Sequence, residues 1–583
     1  MEIKPVSEVL APVGLNMPTL NALIPDEANY RVLFMQPHGE VEASIAGVRN
    51  RDRILAQQQF ERFLADARET QADLVITPEY SMPWNVLIDA LKVGIFPAQG
   101  KLWALGCESI KYSELEALEQ DLPPSITIIC EPLQPDPERF TDPLAYVFLA
   151  PPKDNNDGAR IVVLVQFKTY PMGDDNHFEI NGLQLGTWVY EFGGLGQNLR
   201  LVSLICSDVF TFRDAHALAV YDRALVIHIQ LNQSPRQTKY RQYRDRLFDY
   251  SGDATELICV NWAKNVHEWC GEKTKPWNNI AGSAWYLKPG KFDDRDATLC
   301  DNHRRGLYYT WFDSLRSHAL FFNYEPATYL LKATKVAHIG VQGPISRRRG
   351  PILTRTCHWS NAATTWIEQS VVDDSFSTIV IESGDAKDNI QQIATRNPLE
   401  AERVLALCTG KIVPDESWHE VRLLDSCGIG INEVILRLTF CQDTDQHARE
   451  FRIARLKRCG ILWNILNTEN QLPPALTDFI DGFSLAWDAN FPHHNAISTA
   501  GRRATVIYLG EESNEKQIEA IFKRVAAFLH RGFTDPDESR SARQRLAVWY
   551  RGEDGQIDRY GRDRFVRYDS PDDVSEFDIA RQT

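Results

Sequence analysis

Three residues of this 583-residue chain carry the side-chain types that acyl transfer from nitrogen requires: Glu79 in LVITPEYSMPW, Lys168 in VVLVQFKTYPM and Cys206 in LVSLICSDVF. A thiol attacks a carbonyl as its thiolate, so it needs a base and a nearby positive charge. A carboxylate in a dry pocket takes the thiol proton and later delivers it to a leaving amine. A lysine ammonium held beside both stabilises the negative oxygen of a tetrahedral intermediate. Each residue directly follows an apolar run, the place where a sheet ends and loops exclude water. Singly each has a plainer reading: a solvated turn glutamate, a surface lysine, a core cysteine. Only the three together make a chemistry.

The elements that must position them alternate along the first half of the chain. Arg31 to Met35 reads as a buried strand, Asn50 to Thr70 as a helix with Ile54, Phe60, Phe63 and Leu64 at helical spacing, and Leu74 to Thr77 as a strand cut off by Pro78. This is a β-α-β unit. Further strands are predicted at 102–105, 126–130, 146–149, 161–167, 199–205, 224–229, 257–260 and 284–287, with helices at 213–221 and 238–250. Many strands with few helices between them predict sheets covered by helices on the outside. The run QGPISRRRGP, between Val341 and Pro351, has the composition of a linker and predicts a boundary. Beyond it, strands at 433–440 and 504–509, helices at 446–466 and 514–530, and a turn at Asp554-Gly555 between Val548-Trp549-Tyr550 and Phe565-Val566-Arg567-Tyr568 predict a second α/β domain.

The order and context of the motifs resemble the nitrilase, or carbon–nitrogen hydrolase, superfamily. YRVLFMQP with the helix after it resembles that family's N-terminus, ADLVITPEYSMP its glutamate motif and LVSLICSDVF its cysteine motif. LVIHIQLN, YRQYRDRLFDY, LICVNWAKN and NIAGSAWYLKPG follow in the family's order. The resemblance spans about Tyr30 to Val341. It implies a four-layer α-β-β-α sandwich, amide-type C–N hydrolysis through a thioester, no metal and no organic cofactor. It also implies that the backbone N–H of Ser207 joins Lys168 in holding the oxyanion, and that copies of the chain assemble as a homo-oligomer; Asn232 and Tyr240 fall where relatives often contact substrate, against the alternative of a plain loop. Relatives carry a second glutamate after the lysine. KTYPMGDDNHFEING offers Glu179, with Asp174 or Asp175 as alternatives at a spacing longer than usual. Cys206 is followed by Ser207-Asp208 where nitrile hydrolysers carry Trp-Glu, which favours the amidase-like branches.

The expected organisation is an N-terminal extension at 1–29, a nitrilase-like domain at 30–345 and a smaller α/β domain of unassigned function at 351–583. Trp84 is a candidate for the pocket lining, against the alternative that it packs under the following helix. His493-His494 in FPHHN lacks further ligands at usable spacing for a metal, and Gly428-Ile429-Gly430 lacks the third glycine of a dinucleotide loop. A formal net charge of -16 disfavours sequence-independent nucleic-acid binding. Eleven cysteines without a CxxC pair, no signal-peptide pattern and no bilayer-length apolar run predict a cytoplasmic protein. A small-molecule amide is the expected partner. Rival readings are a ligand-sensing module with a protein partner on the C-terminal domain, in a defence-type bacterial system, and an acyltransferase.

Overall fold

The computed structural model describes residues 1–25, 29–37, 39–153, 158–173, 178–193, 199–220, 223–233, 238–250, 255–263, 266–276, 282–287, 301–302, 305–312, 317–322, 325–335, 350–369, 376–396, 398–410, 446–488, 491, 494–511, 515–531 and 536–560. The chain divides into two compact units, Met1–Thr298 with Leu307–Ser370, and Leu299–Gly306 with Val371–Thr583.

Two large mixed sheets build the first unit. One has the strand order Thr365–Glu368, Ile352–Ser360, Ala327–Thr334, Asn29–Gln36, Leu74–Met82, Leu102–Cys107, Pro143–Ala150, Arg160–Phe167, Ile126–Cys130. The other runs Glu2–Pro5, Trp188–Gly193, Arg200–Ile205, Ala224–Ile229, Glu256–Val260, Ala284–Leu287, Ser317–Phe322, Leu307–Phe312. The strands read as continuous apolar runs because both faces of the first sheet are covered. Leu33, Met35, Val75, Trp103, Leu105, Val147 and Val163 point to one side, where the helices Arg53–Thr70 and Trp84–Lys92 supply Phe60, Phe63, Leu64 and Leu87 to the same core. The alternate residues face the second sheet. Phe34 meets Phe322 at 4.6 Å, Tyr146 meets Phe192 at 5.0 Å, and Gln166 Nε2 donates to the Ser203 carbonyl at 2.9 Å.

Helix Arg53–Thr70 starts where the Asp52 carboxylate accepts from Leu55 N, and it buries Ala56, Phe60, Phe63, Leu64 and Ala67 at i, i+4, i+7 spacing. Ile54, counted above as part of that stripe, is 73% exposed, since one residue into the helix it lies off the buried face.

Three further expectations are corrected. The strand opened by Leu74 does not stop at Pro78. It continues to Met82 through a bulge, with Thr77 opposite Leu105 and Met82 opposite Cys107. Proline fits there because the bulge takes residues out of the hydrogen-bonded ladder. Residues 1–29 are not a mere extension: Glu2–Pro5 pairs in parallel with Trp188–Glu191, and Lys335 Nζ donates to the Ile24 carbonyl at 2.6 Å. Nor does the first unit end at the linker-like run. Ile352–Ser360 pairs antiparallel with Ala327–Thr334, so that run joins neighbouring strands of one sheet, and the division falls after Ser370. Glycine, proline and arginine suit a connection within a sheet as well as one between domains.

The second unit is also mixed α/β. Its sheet has the order Phe483–Leu485, Ala496–Ser498, Arg503–Tyr508, Leu546–Arg551, Ile557–Arg559, with a parallel pair between the third and fourth strands. The helices Pro398–Cys408, Gln446–Leu466 and Glu515–Arg531 pack Leu405, Leu462 and Leu529 into its core. The turn at Asp554-Gly555 is present, with Gly555 at φ 78°, but its second strand is Ile557–Arg559. The expected strands at 433–440 and 565–568, and His493, lie outside the described residues. Among the described residues no helix is long and apolar enough to cross a membrane.

Candidate active site

Strand direction explains how distant residues meet. Leu74–Met82 and Leu102–Cys107 are parallel; Pro143–Ala150 is antiparallel to Leu102–Cys107 and to Arg160–Phe167. The ends of Leu74–Met82 and Arg160–Phe167 and the beginning of Pro143–Ala150 therefore share one rim. Glu79, Lys168 and Asp142 stand there.

The bulge after Thr77 turns Glu79 into the site. Tyr80, next along, has φ 57°, a left-handed backbone that costs a tyrosine free energy and persists where packing imposes it. Gly106 on the neighbouring strand permits the close approach: a Cβ there would lie 2.2 Å from the Pro78 carbonyl oxygen. In the other sheet, Cys206 follows Arg200–Ile205 at φ 39° and opens a tight helical turn through Phe210. The Asp208 carboxylate pins that turn, accepting from Ile205 N at 3.0 Å, Thr169 N at 2.7 Å, Thr169 Oγ1 at 2.8 Å and Tyr170 N at 3.1 Å. It thereby ties the cysteine turn to the segment after Lys168. His228 completes the support, its Nε2 lying 2.9 Å from the Cys206 carbonyl oxygen.

Lys168 is the centre of the cluster. Its Nζ donates to Glu79 Oε1 and to Glu179 Oε1, both at 2.7 Å, and lies 3.3 Å from Asp142 Oδ2. All four side chains are at most 8% exposed. Glu79 Oε2 accepts from Leu231 N, and Trp262 Nε1 holds the Glu79 carbonyl at 2.8 Å. Glu179 accepts from Tyr80 Oη at 2.9 Å and from Met172 N at 2.6 Å. On the other side of the cluster, Cys206 Sγ is 3.5 Å from Tyr240 Oη, which is 3.7 Å from Met172 Sδ.

The electrostatics follow from burial and from an excess of carboxylates. Burial raises the Glu79 pKa, the Lys168 charge opposes the rise, and the Glu179 charge adds to it. Burial, then the Glu79 charge, pushes Asp142 well above the carboxylate range. For Lys168 burial acts to strip the proton, but Glu179, Glu79 and Asp142 outweigh it and the ammonium is held. Burial and then the Glu79 charge keep Cys206 a thiol at rest, with Lys168 acting the other way. Oxygens of Glu79, Asp142 and Glu179 lie within 4.8 Å of one another, a donor set that suits a hard cation. The Lys168 ammonium already stands among them in that role.

Five of the eight candidate residues thus stand together: Glu79, Lys168, Glu179, Cys206 and Tyr240. Ser207, beside Cys206, is buried with its hydroxyl given to the Tyr170 carbonyl at 2.7 Å. Asn232 follows Leu231 on the site's wall, where its N–H and C=O both bond the Asn261 side chain. Trp84 is corrected: it starts the helix Trp84–Lys92, packs in the helix-side core and donates Nε1 to the Glu108 carbonyl at 2.9 Å, so it does not line the pocket. Asp174 and Asp175, the alternatives to Glu179, lie outside the described residues. Asp142, Tyr80 and His228 went unrecognised in the sequence. Asp142 bore a signal, a charged residue abutting an apolar run, but at the start of a strand.

No family profile matches this chain, and no curated protein sequence does. Solved structures do. A glutamine-dependent NAD+ synthetase from Acinetobacter baumannii matches at 12% identity and a TM-score of 0.29, over 55% of this chain and 49% of the synthetase, so the chain spans about half of that protein's length. An amidase of the nitrilase superfamily from Nesterenkonia AN1 matches at 12% identity and a TM-score of 0.30, over 54% of this chain and 93% of the amidase. A CN-hydrolase superfamily protein from Xanthomonas campestris matches at 12% identity and a TM-score of 0.29, over 53% and 91%. Nitrilase-superfamily amidases and CN-hydrolases are thus among the solved structures that this chain is similar to, over about 55% of its length.

Proposed function

We propose that the first unit hydrolyses a non-peptide C–N bond of a small amide through a thioester on Cys206, within an α-β-β-α sandwich whose outer layer on the second sheet is formed by the helices Asp214–Ala219 and Thr238–Tyr250. One observation carries the reading: a buried ammonium bonded at 2.7 Å to each of two carboxylates, with the turn that Cys206 opens tied through Asp208 to the residue after that lysine.

Cys206 rests as a thiol. As the substrate carbonyl arrives, Glu79 takes the Sγ proton and the sulfur bonds to the carbonyl carbon, whose π electrons move onto oxygen. Lys168 Nζ and the Ser207 N–H hold that oxyanion. Collapse breaks the C–N bond, and the nitrogen leaves with the proton from Glu79. Water, deprotonated by the same carboxylate, then attacks the thioester, releases the acid and returns the proton to sulfur. Glu179, fixed by Tyr80 and the Met172 N–H, keeps Lys168 charged and in place through the cycle. Tyr240 borders the acyl position and limits the size of the group that fits.

The test is ammonia release from a series of short aliphatic amides by the full chain and by Cys206→Ala. Release by the native chain and a loss on the order of 10⁴-fold or more in the variant, with unchanged circular dichroism, is expected. Release that survives in the variant would refute the assignment.

A further inference from the structure

The cluster around Lys168 holds more negative groups than one cation can neutralise, and its hydrogen bonds are unevenly shared. Glu79 accepts from Lys168 and Leu231 N, one donor on each oxygen. Glu179 accepts from Lys168 and Tyr80 on one oxygen and from Met172 N on the other. Both are dressed as carboxylates. Asp142 differs. It is 0% exposed, yet neither of its oxygens takes a hydrogen bond from any donor among the described residues. Lys168 Nζ lies 3.3 Å from Oδ2, an ion-pair contact, while the two hydrogen bonds it makes to carboxylates go to the glutamates.

An ionised carboxylate in that setting is costly, because its charge is desolvated and its lone pairs go without donors. Three ionised carboxylates on one ammonium would leave two uncompensated negative charges on side chains at most 8% exposed. A proton on Asp142 removes one charge and converts an unsatisfied acceptor into a donor. Oxygens of Glu79 and Glu179 both lie within 4.8 Å of an Asp142 oxygen, and Glu79 is the one whose side chain pairs with the Asp142 carboxyl.

We propose that Asp142 is a positioning residue that holds a proton at neutral pH and shares it with Glu79, so that the pair acts as one buffered base. The role rests on the hydrolase reading above. The groups that face the pair are Lys168 and Glu179, Tyr80 along the bulge, Cys206 across the cavity, Cys107 on the neighbouring strand and Tyr240 beyond the sulfur. Among these Lys168 is the cation, and Tyr80 donates to Glu179 instead. In the reaction Asp142 forms no bond to substrate. When Glu79 receives the thiol proton, the Asp142 proton re-centres on Asp142. When Glu79 gives that proton to the leaving nitrogen, the shared hydrogen bond shortens again and stabilises the carboxylate left behind.

Infrared spectroscopy of the full chain in H₂O and D₂O tests this without any substrate, so its outcome is separate from that of the amide assay. At pH 7 the native chain should show the deuterium-sensitive C=O band of a buried, protonated carboxylic acid, and Asp142→Asn should lack it. Should the asparagine variant fail to fold, Asp142→Ser, which also keeps a donor, serves the same comparison. A native spectrum without the band, or a band that persists in the variant, overturns the proposal. The pH profile of Cys206 alkylation by iodoacetamide gives a second readout. Replacing a neutral acid by a neutral amide should leave its acid limb in place, whereas removing an ionised aspartate would lower that limb by about one pH unit or more.

Discussion

Both units bury charged side chains, and they treat them differently. In the second unit Arg545 is 7% exposed and meets Asp478 through two parallel bonds, Nη1 to Oδ1 at 3.0 Å and Nη2 to Oδ2 at 3.1 Å. Its Nε donates to the Arg503 carbonyl at 2.8 Å, and its Nη1 also reaches the Ala475 carbonyl. Asn495 similarly locks onto Val506, its Nδ2 donating to the carbonyl at 2.8 Å and its Oδ1 accepting from the N–H at 2.9 Å. In these two pairs donors and acceptors are matched, and each fixes one strand or turn against its neighbour. In the first unit three buried carboxylates converge on one ammonium beside a thiol. Matched polar groups specify a fold. A buried surplus of one sign persists only where the rest of the structure offsets its cost, and such clusters gather at functional sites more often than elsewhere.

The largest effect that sharpens the contrast comes from Lys168→Met against Arg545→Met. Removing Lys168 strips the cation from a cluster of three carboxyl groups, so we expect a fall of about 3–5 kcal/mol in stability of the first unit and amide turnover lost on the order of 10³-fold or more. Removing Arg545 leaves Asp478 without its bidentate partner and should cost about 2–3 kcal/mol in the second unit. Hydrogen exchange should quicken in Arg503–Tyr508 and Leu546–Arg551, with turnover by the first unit retained. Equal losses of turnover in both variants would erase the distinction.

A smaller effect concerns Asp208. Burial pushes its pKa from 3.8 to about 6, against the pull of its Thr169 and Ile205 N–H donors. The folded chain therefore holds this proton more tightly than the unfolded chain between pH 3.8 and about 6. The Asp208 contribution to stability falls as pH rises through that window and is flat above it. Urea midpoints of the native chain and Asp208→Asn should diverge across the window and run parallel above it. Midpoints parallel throughout would mean that the carboxyl ionises at its ordinary value.

Much of this arrangement was legible in the residues, because apolar runs and strand ends are local properties. Ile126–Cys130, Ala224–Ile229, Ala284–Leu287 and the helix Gln446–Leu466 stand where periodicity put them. Lys168 and Cys206 each follow a strand, one in either sheet, and Glu79 stands on the bulge of a strand that runs the same way as that of Lys168 in one sheet. Asp142 escaped because it begins its strand, and only the antiparallel pairing with Arg160–Phe167 brings that beginning to the same rim. Pairing partners are not local. The same reason hid the continuation past Pro78, which depends on Gly106 in the next strand, and the return of Ile352–Ser360 to Ala327–Thr334. Trp84 was ambiguous because an indole with a polar edge suits a pocket or a core equally, and its bond to the Glu108 carbonyl is a tertiary fact.

The central claim is that the cluster makes a buried sulfur reactive. Limiting iodoacetamide, whose primary amide imitates a substrate, followed by peptide mapping tests it most directly. Cys206 is 1% exposed and held as a thiol at rest, whereas Cys270 is exposed. If Glu79 and Lys168 activate the sulfur, Cys206 is alkylated first, and Glu79→Gln cancels that preference. Labelling that follows exposure, with Cys270 ahead and Cys206 spared, would contradict the account.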